Sequence, residues 1–176
     1  MAHPDEVVLE LELAVVGRDT RISGQFLEAA VVAGLASAGV DVLLLGVLPT
    51  PGVAYMTDRL GADLGVMISA SHNPMPDNGI KFLARGGHKL DDAIEIAIEK
   101  RMGEPWQRPT GGDVGRVTVY DTAVEEYAAH LESTITHPLV GLKVVLDCAE
   151  GAAHAAGPRA LEDAGATVID RKSTRL

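Results

Sequence analysis

A mixed, mainly parallel α/β sheet flanked by helices is predicted from three observations. Three short apolar runs, Leu11 to Val16, Val40 to Gly46 and Leu64 to Ser69, alternate with stretches of helical composition. Each run stops at a polar loop, and the helical stretches carry terminus signals. Parallel strands need long crossovers, usually helices, so the alternation reads as right-handed βαβ units. A chain of 176 residues, 47% apolar, is long enough for one domain, or one plus part of a second, and can bury a core.

Taken in order, the first run ends at Gly17 and the charged loop Arg18-Asp19-Thr20-Arg21, and reads as a buried strand. Ser23 precedes the alanine-rich stretch Phe26 to Ala38, which closes on Gly39. A serine N-cap and a glycine just past the C-terminus mark a helix. Val40 to Gly46 is a second buried strand. Pro49-Thr50-Pro51 opens a second helix, with Thr50 as cap and Pro51 at the first helical position, running to Leu60. Leu64 to Ser69 is the third strand, and a polar loop over Ala70 to Gly79 leads into a short return strand, Ile80 to Leu83. Asp91 to Met102 is an amphipathic helix with acids in its first turn and Lys100 and Arg101 in its last, matching the helix dipole. Gly103 to Gly115 lacks apolar period and is a surface connection. Thr122 to Thr134 is helical, Pro138 to Gly141 a linker, Leu142 to Asp147 a fresh strand and Ala152 to Ala164 a fresh helix.

A boundary near residue 140 follows, giving a first domain over 1–137 and the beginning of a second over 138–176. Leu35-x-x-Ala38-Gly39-x-x-Val42 recurs as Leu161-x-x-Ala164-Gly165-x-x-Val168, and each copy follows a Val-Val strand ending in a loop aspartate, Asp19 or Asp147. Two helix-to-strand turns that both need a glycine cap would produce the same echo as duplication of a βαβ unit.

Composition narrows the function classes. With 15 basic and 25 acidic residues the formal charge is −10, which disfavours nucleic acid or an anionic membrane as partner. Aromatics make up only 3%, too few for base-stacking platforms. Any phosphate-bearing ligand therefore needs a local cationic pocket. No apolar run is long enough to span a membrane. One cysteine forms no internal disulfide, and no leader precedes a cleavage site, so a reducing cytoplasm is the expected setting. Cys148 reads as a small apolar residue rather than a nucleophile. No H-E-x-x-H, Cys/His array, Walker spacing or G-x-S-x-G elbow is present.

The densest polar cluster is Ser69-Ala70-Ser71-His72-Asn73-Pro74-Met75-Pro76-Asp77-Asn78-Gly79-Ile80-Lys81. It follows the carboxyl end of a strand, where open parallel sheets bind ligands. Ser71 offers a hydroxyl, His72 an imidazole, Asn73 an amide and Lys81 an ammonium, and two prolines stiffen the segment. For phosphoryl transfer these are a carrier for the phosphoryl group and donors and cations for its oxygens. Composition alone favours a plain hairpin loop. Arg18, Asp19 and Arg21 end the first strand on the same expected edge, either facing that cleft or forming a solvated ion pair.

The serine loop strongly resembles the active-serine loop of the alpha-D-phosphohexomutase superfamily. Gly17-Arg18-Asp19-Thr20-Arg21-Ile22-Ser23-Gly24, Leu48-Pro49-Thr50-Pro51, Gly86 to Asp91 and Gly141 to Gly151 are similar to that family at the expected separations. The resemblance implies an isomerase acting on a phosphorylated hexosamine, interconverting glucosamine 6-phosphate and glucosamine 1-phosphate through a bisphosphate. Mannose and glucose phosphates are the alternative substrates, and a noncatalytic module binding phosphate or a partner is the alternative role. Ser71 would be the phosphoserine and, through its phosphate, a ligand of Mg²⁺. His72 and Lys81 would be catalytic, Lys81 through proton transfer or charge stabilisation, and Asn73, Arg18 and Arg21 would bind substrate or phosphate.

Several departures accompany the resemblance. Met1 to Glu12 does not match the family's opening Thr-Asp-Gly-x-Arg-Gly segment, and a D-G-D-x-D-R carboxylate loop is absent. Glu150 stands where the family usually has Asn, and Arg171 to Leu176 looks like a foreign tail. The expectation is a truncated enzyme, inactive alone, that binds Mg²⁺ weakly and whose exposed sheet edge invites association into a homo-oligomer.

Overall fold

A computed structural model describes residues 11–170, so the unmatched opening segment, up to residue 10, and the tail Arg171 to Leu176 lie outside the described residues. The three apolar runs form strands β1 (Leu13–Arg18), β2 (Asp41–Val47) and β3 (Leu64–Ile68), joined by helices α1 (Gly24–Ser37) and α2 (Thr50–Arg59). β1 lies between β2 and β3, parallel to both. The chain then returns as β4 (Ile80–Ala84), antiparallel to β3, and continues as β5 (His88–Lys89), antiparallel to β4. Helix α3 (Asp92–Arg101) follows. A single 3-10 turn at Gly111–Asp113 precedes β6 (Val117–Val119), which adds in parallel to β2. The six-stranded sheet runs β5-β4-β3-β1-β2-β6. Helix α4 (Ala123–Ser133) leads to a separate parallel pair, β7 (Lys143–Leu146) and β8 (Thr167–Asp170), connected through α5 (Ala156–Asp163).

Alternation along the central strands sorts two apolar layers. Ala14, Val16, Val42, Val66 and Ile68 face α1 through Leu27, Val31 and Leu35. Val15, Leu45 and Met67 face the opposite layer, built from Val53 and Met56 of α2 and Ala123 and Tyr127 of α4. Both faces of β1 and β3 are covered, which is why these strands are continuous apolar runs without alternation in sequence.

Local chemistry shifts several predicted ends. Ser23 makes no side-chain cap bond; its hydroxyl donates to Asn78 instead. Pro49, not Thr50, is the N-cap of α2, so Thr50 and Pro51 are its first two helical residues. In α3 Asp91 caps by accepting from the amide of Ala93 at 2.8 Å, yet the helix buries no residue. The final helix starts at Ala156 rather than Ala152, because a helix begun at Ala152 would place Pro158 in its interior, where it lacks an amide donor and clashes. Tight turns at Gly151 and His154, closed onto the carbonyls of Cys148 and Gly151, occupy the intervening residues. β6 was hidden by its three exposed residues. It is reached through Gly115, where an added Cβ would lie 1.9 Å from the carbonyl oxygen of Val40.

Candidate active site

The loop after β3 is rooted by a close approach. Ser69 donates its amide to the carbonyl of Gly79 at 2.8 Å, and a Cβ at Gly79 would lie 2.7 Å from the Ser69 oxygen. Glycine is needed there. Two residues on, Ser71 sits in the left-handed region at φ +57°, a conformation costing a side-chain-bearing residue about 1–3 kcal/mol. Its amide donates to the buried Ser69 hydroxyl at 3.0 Å, and its exposed Oγ lies 3.4 Å from Nδ1 of His72. Asn73 donates its side-chain amide to Asp77 at 3.2 Å, and its backbone amide bonds the carbonyl of Ala70.

Arg21 organises the inside of this loop. Its guanidinium donates to the carbonyls of Pro74 (2.8 Å), Asp77 (3.2 Å), Ser71 (3.1 Å) and Asn73 (2.9 Å), while Nε donates to Asp19 at 3.1 Å. Asp19, itself buried, also accepts the Arg21 amide at 3.0 Å. Ser23 reaches Asn78 at 2.5 Å, so the segment after β1 holds the serine loop at two places.

A cleft of about 990 Å³ opens at the carboxyl ends of the strands. One wall is Ser71, His72, Asn73 and Met75 with Arg21 and Thr50; the other is the turn Cys148–Ala153 after β7. Thr20 ties the walls, donating its hydroxyl to the carbonyl of Glu150 at 2.5 Å. Ala149 and Glu150 take φ of +50° and +56°, after Asp147 accepts the amide of Ala149 at 2.8 Å. Asp19 accepts the Arg21 amide in the same way, so the two echoed aspartates make the same hydrogen bond two residues on, although only the second is followed by left-handed backbone.

The predicted site residues divide. Ser71, His72, Asn73 and Arg21 line the cleft. Arg18 does not: it bonds Glu28 at 3.3 Å on the α1 side of the sheet. Lys81 is not in the lining either; it pairs in register with Met67, which is. The expected cationic pocket is therefore thin among the described residues, with Arg21 as the one guanidinium of the described lining and Asp19 and Glu150 beside it. Sequence reading missed the 148–153 wall, whose signal was the echoed aspartate. Among the described residues no three His, Cys, Asp or Glu gather where they could hold a metal ion. None of the described helices is long and apolar enough to cross a membrane.

The geometry agrees with the relatives this chain matches. Over 157 residues it is 77% identical to the phosphoglucosamine mutase of Nocardioides sp., covering 89% of this chain and 35% of that protein. The phosphoglucosamine mutase of Acidothermus cellulolyticus is 67% identical over a similar span, 34% of its length. A solved phosphoglucomutase/phosphomannomutase family protein of Burkholderia thailandensis superposes with a TM-score of 0.75 at 30% identity, covering 92% of this chain and 36% of that one. The chain thus spans about a third of the length of these relatives. Residues 8–108 match the family profile described as phosphoglucomutase/phosphomannomutase, alpha/beta/alpha domain I, and the chain belongs to that family.

Proposed function

We propose that this chain supplies the phosphoserine-bearing part of a phosphoglucosamine mutase, with domain I over 1–137 and the start of domain II over 138–176. The observation that carries the reading is Ser71: an exposed hydroxyl, held in left-handed backbone at the carboxyl edge of a parallel sheet, facing a cleft. In this reading Ser71 carries a phosphoryl group. A sugar hydroxyl attacks phosphorus, the new O–P bond forms as the Oγ–P bond breaks, and the hydroxyl proton passes to solvent water, from which His72 regains the proton it gives up. His72, 3.4 Å from Oγ, can protonate the departing serine oxygen, and the reverse transfer restores the phosphoserine from the bisphosphate. Lys81 would act through its charge rather than by direct contact in the cleft, and Asn73 would brace the loop through Asp77.

The family resemblance extends to Mg²⁺, but the donor set of this chain does not complete a shell for it: Ser71 phosphate would be one ligand, and no carboxylate cluster joins it among the described residues. The setting we propose is the cytoplasm, with a phosphorylated hexosamine as substrate. A chimera in which this chain replaces the matching residues of the 77%-identical Nocardioides relative should convert glucosamine 6-phosphate to glucosamine 1-phosphate. Ser71→Ala in it should remove turnover; full activity in that variant would overturn the assignment. A chimera active only on mannose or glucose phosphates would instead place the chain with the other sugars of the family. A folded chimera inactive on every sugar, with no phosphate on Ser71, would point to a noncatalytic module.

A further inference from the structure

We infer that Arg21 is a positioning residue for the phosphoserine loop, not a ligand of substrate phosphate. The inference rests on the phosphoserine reading above. A guanidinium has five N–H donors, and here each finds an acceptor: four loop carbonyls, from Ser71, Asn73, Pro74 and Asp77, and the carboxylate of Asp19. No donor is left for a phosphate oxygen. The charge is also matched locally, because Asp19 lies 3.1 Å away with both side chains nearly buried.

What Arg21 does is set the direction of the loop. A carbonyl turned inward to the guanidinium belongs to a peptide whose amide is turned elsewhere, so one side chain fixes the orientation of the peptide that follows Ser71 and of three more along the loop. The bond to the Ser71 carbonyl bears directly on the residue held at φ +57°. Without it, the Ser69 hydroxyl bond to the Ser71 amide and the Ala70–Asn73 turn are left to hold the left-handed form against relaxation to an ordinary one. Relaxation would swing Oγ away from its present place in the cleft.

Lysine separates the two roles. An ammonium remains a good phosphate ligand, but a single point charge cannot reach four carbonyls and a carboxylate in a plane. Two readouts test this. In the 176-residue chain, amide order parameters by NMR should be near 0.85 at Met75 and Asp77 and fall below about 0.6 in both Arg21→Lys and Arg21→Gln, while Val15 and Val66 stay rigid. In the chimera described above, both variants should lower kcat by about a hundredfold or more, with KM for the sugar phosphate changed less than about threefold. Arg21→Lys retaining more than a tenth of kcat, or loop amides staying rigid, would overturn the inference. Should Arg21→Lys lose the Val15 and Val66 signals as well, Asp19→Asn takes its place: it keeps the guanidinium but removes its charged brace, and must loosen Asp77 measurably for the inference to stand. An inactive parent chimera would sink the phosphoserine reading and leave the order-parameter result to decide Arg21 by itself.

Discussion

Ser71 and Glu150 face each other across the cleft in the same unusual backbone region, for different reasons. At Ser71 the left-handed form is braced by Arg21 and the Ser69 hydroxyl. At Glu150 it follows from the turn that Asp147 starts, and asparagine tolerates that region better than glutamate. Glu150→Asn should therefore raise stability, by up to about 1 kcal/mol, read as a higher thermal midpoint. Residue identities in the serine loop were legible because Asn, Pro, Asp and Gly announce a turn at a strand end. Less legible was what the arginines do. Arg18 and Arg21 look alike in sequence, yet strand alternation sends Arg18 to Glu28 on the α1 side, while the bend at Asp19 folds Arg21 under the loop. Lys81 stands opposite the lining residue Met67, on the same face of the sheet, in a register that no local motif encodes, yet is not itself in the lining.

At the level of elements, the central strands were readable from apolar runs because burial on both faces demands them. α3 shows the limit of such patterns: its charges match the dipole and Asp91 caps it, but no residue is buried and Ile96 is half exposed. β6 and β5 are too short and exposed to leave a periodic signal. Packing of α2 carries more weight. Met56 is fully buried between α2 and the sheet, so Met56→Ala should destabilise by about 2–5 kcal/mol in chemical denaturation, whereas a loss near zero would contradict the layer assignment. α4 is tied back to the body by Glu126, which accepts from Tyr120 and Arg59 at 2.6 Å each and from Thr122 at 2.9 Å.

These ties give the whole molecule a predictable response to acid. The Tyr120 and Arg59 hydrogen bonds hold Glu126 below the ordinary carboxylate range. Asp63 is lowered by the amides of Glu12 and Leu13 and by its ion pair with Arg85. Groups more acidic when folded add stability above the unfolded value, near pH 4, and lose it as pH falls through the folded one. The thermal midpoint should thus drop below about pH 4, and the Asp63→Asn, Glu126→Gln pair should flatten that drop. Across the whole chain, the fold class and the position of the serine loop followed from local patterns. The cleft did not, since its second wall comes from residues far along the sequence, joined to the first by the Thr20 to Glu150 bond. The formal charge of −10 gains a local meaning as well: among the described residues the cleft lining holds little positive charge of its own. On its own, the chain should accordingly show no measurable sugar-phosphate turnover. The most direct test of the central claim is peptide mapping of the active chimera after exposure to labelled glucosamine 1,6-bisphosphate. Label on Ser71, absent in Ser71→Ala, is the predicted result; label on another residue, with Ser71 unmodified during turnover, would contradict the account.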